Sequence, residues 1–184
     1  MSEKERKNML TLLESNAIEP ITLTEVKAHL RLDTDAEDDL LTGLIKAATN
    51  LVEEHLGKTL IKKVWRLQET GVDVNGVHEI VLSHGPLLKV ISVQRILPND
   101  VYQNTRFAVK NYFAKPIVVF KSHLPVSVIY EAGYGHYPKD VPAPIRQALL
   151  TLVAHFYDSR GGQMGMSPLV KTLLSPYKHI GLTV

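Results

Sequence analysis

The sequence predicts an α+β protein: a helical bundle formed by the N- and C-terminal helices, with an antiparallel β region inserted between them. Three observations carry this prediction. Between residues 22 and 57, apolar side chains recur at helical spacing behind capping signals. Between 60 and 132 the period falls to two, broken by Asn-Gly, Gly-Pro and Pro-Asn-Asp turn signals. Between 142 and 176 the helical spacing returns. A length of 184 residues suits one compact domain, placed at 20–178, with a mobile N-terminal arm (1–19) and a C-terminal tail (179–184) on either side.

Taken in order, the arm is polar apart from Met9, Leu10, Leu12 and Leu13. Such a segment forms an amphipathic helix or orders only against a partner, and a mobile arm is the favoured reading. Thr22 followed by Glu25 is a capping box, which predicts a helix from Leu23 to about Arg31. Asp35 is the expected N-cap of the next helix, with Glu37, Asp38 and Asp39 at the positive end of its dipole. Its stripe runs through Leu40, Leu41, Leu44, Ile45, Ala48, Leu51, Val52 and Leu56, and Gly57 ends it. Six strands follow, in KKVWRLQE, VHEIVLS, LLKVISVQRIL, TRFAVKNY, PIVVFKS and LPVSVIYEAG. Joined without intervening helices, they predict an antiparallel sheet, either a small sandwich or a strongly curled sheet.

The second helical segment is VPAPIRQALLTLVAHFYDSRGG, in which Pro142 and Pro144 suit a first turn and Gly161-Gly162 an end. Its core line is Ile145, Ala148, Leu149, Leu152, Val153 and Phe156, while Leu150, Ala154 and Tyr157 add apolar surface away from that line. A helix that is apolar on two sides wants two neighbours. In a chain of this size the second is expected to be another copy. A last helix starts at Ser167 as N-cap with Pro168 at N1, and Pro176 stops it.

Composition excludes several function classes. Hydrophobic residues make up 45% and charged residues 22%, and no apolar run approaches the roughly 18 residues of a membrane span. The N-terminal MSEKERKNML is charged and lacks a signal peptide's apolar core, so the protein is expected in the cytoplasm where it is made. With no cysteine, disulfides, thiolate metal sites and cysteine nucleophiles are unavailable. A formal net charge of +2 is too mild to identify a nucleic-acid partner by itself.

The catalytic motifs fail when their spacing is tested. Gly57-Lys58-Thr59 resembles the end of a phosphate loop, but Val52 stands where its first glycine belongs, so a helix C-cap is the better reading. In the Gly133 to Gly135 turn, the third glycine of a dinucleotide fingerprint falls on Pro138. The eight histidines are scattered, with no HExxH, so no metal or other cofactor is expected. His155 and Asp158 lie three apart on one helix, as a general base and its orienter require, but no nucleophile or oxyanion-hole signature accompanies them. A hydrolase using this pair is the third-ranked function, and no enzyme is expected. Lys58, Lys62, Lys63 and Arg66 cluster at the helix-to-strand junction, either as a strand edge protected by lysines or, repeated by symmetry, as a path for DNA. A DNA-packaging or DNA-binding accessory is therefore the second-ranked function.

The order of segments carries more than any one of them. ITLTEVKAHLRLD, DDLLTGLIKAATNLVEEHLGKTL, VIYEAGYG, VPAPIRQALLTLVAHFYDSR and VKTLLSPYK together resemble the head-to-tail connector proteins of tailed phages and prophages, also called adaptor or head-completion proteins, over roughly residues 20–178. The resemblance implies a structural protein without catalytic residues, assembled as a ring of identical subunits below the portal protein. It implies that the ring continues the DNA channel, touches passing DNA non-specifically, and offers a surface to the next tail or head-completion protein of the virion. It also implies a helical core to which the strands are a variable insertion. On this reading the subunit or partner interface is expected at Leu150, Ala154, Tyr157, Arg160, Met164 and Met166. The last three lie in or beside the segment RGGQMGMS, which is either a docking segment or a plain exposed connector.

Overall fold

A computed structural model describes residues 8–15, 17–70, 76–112, 115–159 and 165–178. It is an α+β fold whose backbone divides into two compact units, where one domain was expected from length. The inserted region, together with the N-terminal strand, forms a β unit; residues 16–61 and 134–184 form a helical unit.

In the helical unit, helix α1 (Leu23–Leu30) begins as the sequence indicates. The Thr22 hydroxyl accepts the Glu25 N–H at 3.2 Å, and the Glu25 carboxylate accepts the Thr22 N–H at 2.8 Å. Helix α2 (Asp38–Leu56) starts later than expected, with Glu37 rather than Asp35 at its N-cap and no side-chain cap bond. The reason is competition: Asp35 is taken by Lys27, which also pairs with Asp38 at 2.9 Å, and Glu37 accepts the Tyr157 hydroxyl at 2.6 Å. Gly57 closes α2 in the left-handed conformation, at φ 62°, which a Cβ would disfavour.

Helix α3 (Ala143–Ser159) buries Ile145, Ala148, Leu149, Leu152, Val153 and Phe156, the whole predicted core line. Its predicted Gly161-Gly162 stop lies outside the described residues. Helix α4 (Pro168–Leu174) is capped by the Ser167 hydroxyl and passes into a 3-10 turn at Ser175–Tyr177 that contains Pro176. Side chains from both ends of the chain share one core, from Ile21 and Val26 through Ile45, Val52 and Leu149 to Val170 and Leu174. Complete burial of each such side chain contributes about 1.5–3 kcal/mol.

The β unit contains the six expected strands and two more. Strands β2 (Lys63–Glu69), β4 (Leu87–Leu97) and β8 (Val126–Ala132) join β1 (Asn8–Ser15) and β5 (Val101–Asn104) in a five-stranded sheet, ordered β1-β2-β8-β4-β5. Strands β3 (Val77–Val81), β6 (Phe107–Tyr112) and β7 (Lys115–Lys121) form a second sheet, ordered β3-β7-β6. Among the described residues the pairings within both sheets are antiparallel. Inward residues of both sheets, including Leu67, Val93 and Val128 from one and Ile80, Val118 and Phe120 from the other, form a common core. Of the two shapes left open, this is the sandwich.

Two expectations change here. Part of the segment expected as a mobile arm is strand β1, in antiparallel register with β2 from Asn8↔Glu69 to Ser15↔Lys63. Its backbone hydrogen bonds are long-range in sequence, so its own composition does not announce them. Strand β5 is four residues long and follows a 3-10 turn at Pro98–Asp100, a stretch that reads as turn alone. Residues 1–7 and the expected tail, 179–184, lie outside the described residues.

Candidate assembly surfaces

The expected interface residues fall along α3 and towards α4. Leu150 and Tyr157 are half-buried against the helical core of their own chain, as is Met166; Ala154 is half-buried as well. The second apolar side of α3 is thus partly sheathed within the chain, and the Tyr157–Glu37 hydrogen bond ties it to the start of α2. Arg160 and Met164 lie outside the described residues. Larger exposed apolar groups of the helical unit stand elsewhere, at Leu40 (52% exposed), Tyr137 and Leu169. Leu40 and Leu169 stand near helix starts, where the helical period counts them as stripe, so the sequence does not separate them from the core.

Close to α1, a shallow cleft of about 410 Å³ is lined by Thr22, Glu25, Tyr137, Pro138, Lys139 and Arg146. Burial raises the pKa of the Glu25 carboxyl, but hydrogen bonds from Thr22 and the ion pair with Arg146 outweigh it and hold the group below its ordinary value. This ionised pair links α1 to α3. The adjoining turn is tight: Asp140 accepts the Tyr137 N–H at 2.9 Å, and its side chain leaves no space for a Cβ at Gly135. The Gly133 to Gly135 segment is therefore turn architecture. Gly57 likewise serves as a helix cap, as its spacing indicated.

The four expected DNA-contact residues have different surroundings, each within its own unit. Lys58, in the helical unit, is half-buried, and burial pushes its ammonium below the ordinary lysine value. Lys62 pairs with Glu131 at 2.9 Å, on the strand that flanks β2. Lys63 and Arg66 are three apart on β2, so the pleat sends them to opposite faces. His155 and Asp158 both stand exposed on α3, and the nearby Ser159 hydroxyl donates to the His155 carbonyl at 2.7 Å, the back-bond of a helical serine rather than a nucleophile's contact with a base. Among the described residues no group of three or more His, Asp or Glu is placed to hold a metal ion. Among the described residues no helix is long and apolar enough to cross a membrane.

Two features are missed by sequence reasoning. Strand β1 is an edge strand exposed along nearly its whole length, with Met9 58% and Leu12 44% exposed. Only Leu10 reaches the β core. The second feature is a cleft of about 530 Å³ in the β unit, where Arg95, Arg106 and Lys121 surround Val77, Phe107, Val119 and Phe120. Its cations are far apart in sequence and meet only through strand pairing, so no local signal announces them.

Comparison with known proteins gives a family and a fold. The family model described as head completion protein matches residues 19–178. No curated protein matches the chain. Among solved structures, a chain from the neck of an empty gene transfer agent particle, computed with C6 symmetry, superposes with a TM-score of 0.81 at 23% identity, covering 94% of this chain and 96% of that one. A chain from the virion of a native gene transfer agent particle gives 0.77 at 23% identity, with the same coverage. One from the neck of a native particle, computed with C12 symmetry, gives 0.75 at 20% identity, again over 94% and 96%. At these identities the likeness establishes the fold, and it extends over both units.

Proposed function

The chain belongs to the head completion protein family, and from that premise we propose that it is a structural connector of a phage or prophage particle. Copies of the chain form a ring between portal protein and tail, made in the host cytoplasm and finally resident in the virion, and the ring continues the channel through which DNA passes. The single observation that carries this reading is the family match over residues 19–178. The fold supports it, since the solved chains it resembles come from particle necks, one computed with twelvefold symmetry.

The helical unit, with its terminal segments packed as a bundle, is the family's common core in this reading, and the β unit is the insertion that sets the identity of neighbouring components. The half-buried flank of α3 at Leu150 and Ala154 contributes to contacts between subunits, with Tyr157, Arg160, Met164 and Met166 nearby in sequence. Contact with passing DNA draws on the other cations of this stretch ahead of Lys62, whose charge Glu131 neutralises. A ring needs two different complementary surfaces on each subunit, and no catalytic constellation.

Native mass measurement and negative-stain microscopy, on the chain alone and mixed with portal protein, test the proposal. A closed oligomer in either condition is the expected result. Monomer in both overturns it.

A further inference from the structure

The cationic cleft of the β unit has a chemistry that the reading above does not use. Its volume of about 530 Å³ is that of a site for a small ligand or a short turn of chain. Arg95, Arg106 and Lys121 line it, and no carboxylate does. The Arg95 guanidinium donates one bond, at 3.1 Å, to the neutral Gln103 side chain, and its Nε is buried without an acceptor. Arg106 and Lys121 are exposed and, among the described residues, have no ion-pair partner. Beside these cations lie Val77 and Phe107, each 40% exposed. A group that fits must bring negative charge on both sides of an apolar side chain.

One segment of this same chain has that character. The turn that begins at Asp33 leads into α2, and in the first turn of that helix Leu40 is exposed while the adjacent Leu41 is buried. Asp35 and Asp38 are engaged by Lys27. Asp33 and Asp39 are exposed and, among the described residues, without an ion-pair partner. Two unpaired acids in one segment with an exposed leucine thus match two unpaired cations in one cleft with exposed valine and phenylalanine. A DNA duplex supplies the negative charge on its outer backbone, but its apolar groups lie back in the grooves rather than projecting beside the phosphates to cover Val77 and Phe107.

We propose that the Arg95–Arg106–Lys121 cleft receives the Asp33–Leu40 segment, the turn before α2 and the start of that helix, of a second copy of this chain. The proposal rests on the ring reading and gives it a specific contact. The surfaces differ, so the contact is heterologous: each subunit offers a cleft to one neighbour and a turn to the other, and it closes when the rotation between subunits closes. Opposed charges steer the encounter and set its register, and the leucine supplies the desolvated centre.

The test is sedimentation velocity on the full chain, repeated with portal protein present. One double variant is Arg106→Glu with Lys121→Glu, and the other is Asp33→Lys with Asp39→Lys. All four positions are exposed, and circular dichroism and a melting curve confirm that each variant is folded. Each variant alone is expected to associate about a hundredfold more weakly than wild type, because like charges then face each other. Mixing the two variants is expected to restore assembly, with copies alternating, since the acidic cleft of one meets the basic turn of the other and the reverse. If wild type assembles and both variants assemble as well as it does, the cleft contact is overturned while the ring reading stands. If the variants fail and the mixture fails too, the pairing of cleft with turn is wrong. If Arg106→Glu with Lys121→Glu instead loses retention on duplex DNA while assembly is intact, the cleft serves DNA and the proposal falls. Wild type that never associates, alone or with portal protein, overturns the ring reading itself.

Discussion

The helical unit and the β unit are stabilised at different ranges along the chain. In the first, α1 is closed by a hydroxyl and a carboxylate three residues apart, α2 by a glycine at its own end, and α4 by the serine before it. Each helix then adds a stripe to one shared core. In the second unit no strand has such internal support. β1 depends on β2, some fifty residues away, and β8 is held between β2 and β4. The difference is one of contact order: local bonds form at little loop-closure cost, whereas pairs such as β1–β2 and β2–β8 must first bring distant segments together.

The largest expected effect tests whether that shared helical core is the principal support of its unit. Leu149 is fully buried in the middle of α3. Leu149→Ala should cost about 2–5 kcal/mol, through lost burial and the cavity left behind. Urea unfolding followed by far-ultraviolet circular dichroism measures it. A cost below about 0.5 kcal/mol, the ordinary size of a surface mutation, would show that α3 is held by something other than its buried line.

A middle-sized effect concerns the local bonds. Thr22→Ala removes the hydroxyl that accepts the Glu25 N–H and should cost about 1 kcal/mol. Glu25→Gln is milder, since an amide still completes the box, but it removes the charge that faces Arg146. The folded Glu25 carboxyl titrates below its ordinary value of 4.5, so its contribution is present above that pH and is lost as pH falls through the folded value. The stability gap between wild type and Glu25→Gln should therefore narrow as pH falls below 4.5. A gap that is flat from neutral pH down to pH 3 would mean that the Arg146 pair contributes nothing.

The same difference of range decides how much of the molecule was legible in the sequence. The α3 core line could be read residue by residue, because a 3.6-residue period and a buried stripe are both local. The start of α2 was misplaced because Asp35 and Glu37 have better partners in Lys27 and Tyr157 than the helix end. One of those partners is 120 residues away. Six strands were legible from alternation and turns. β5 was not, being four residues behind a turn, and β1 was not, because its residues are exposed on both faces and give no clean alternation. Of the candidate surfaces, α3's flank was found from spacing but not its partial cover by the chain itself. The cationic cleft was invisible, since residues 95, 106 and 121 become neighbours only once the strands pair.

The smallest expected effect is the one that separates a strand's own stability from its use. Leu12 on β1 is 44% exposed, whereas Leu10 on the same strand packs against the β core. Both are held in register by backbone bonds to β2, opposite Trp65 and Leu67 respectively. Threonine keeps the strand preference of a β-branched residue and removes only apolar surface. Leu12→Thr should then change the stability of the unassembled chain by less than about 0.5 kcal/mol, as at other exposed sites, while Leu10→Thr should cost clearly more. Urea midpoints of the two variants decide the matter. If Leu12→Thr costs as much as Leu10→Thr, Leu12 is covered within the folded chain, and β1 is as firmly built into its unit as any helix is into the other.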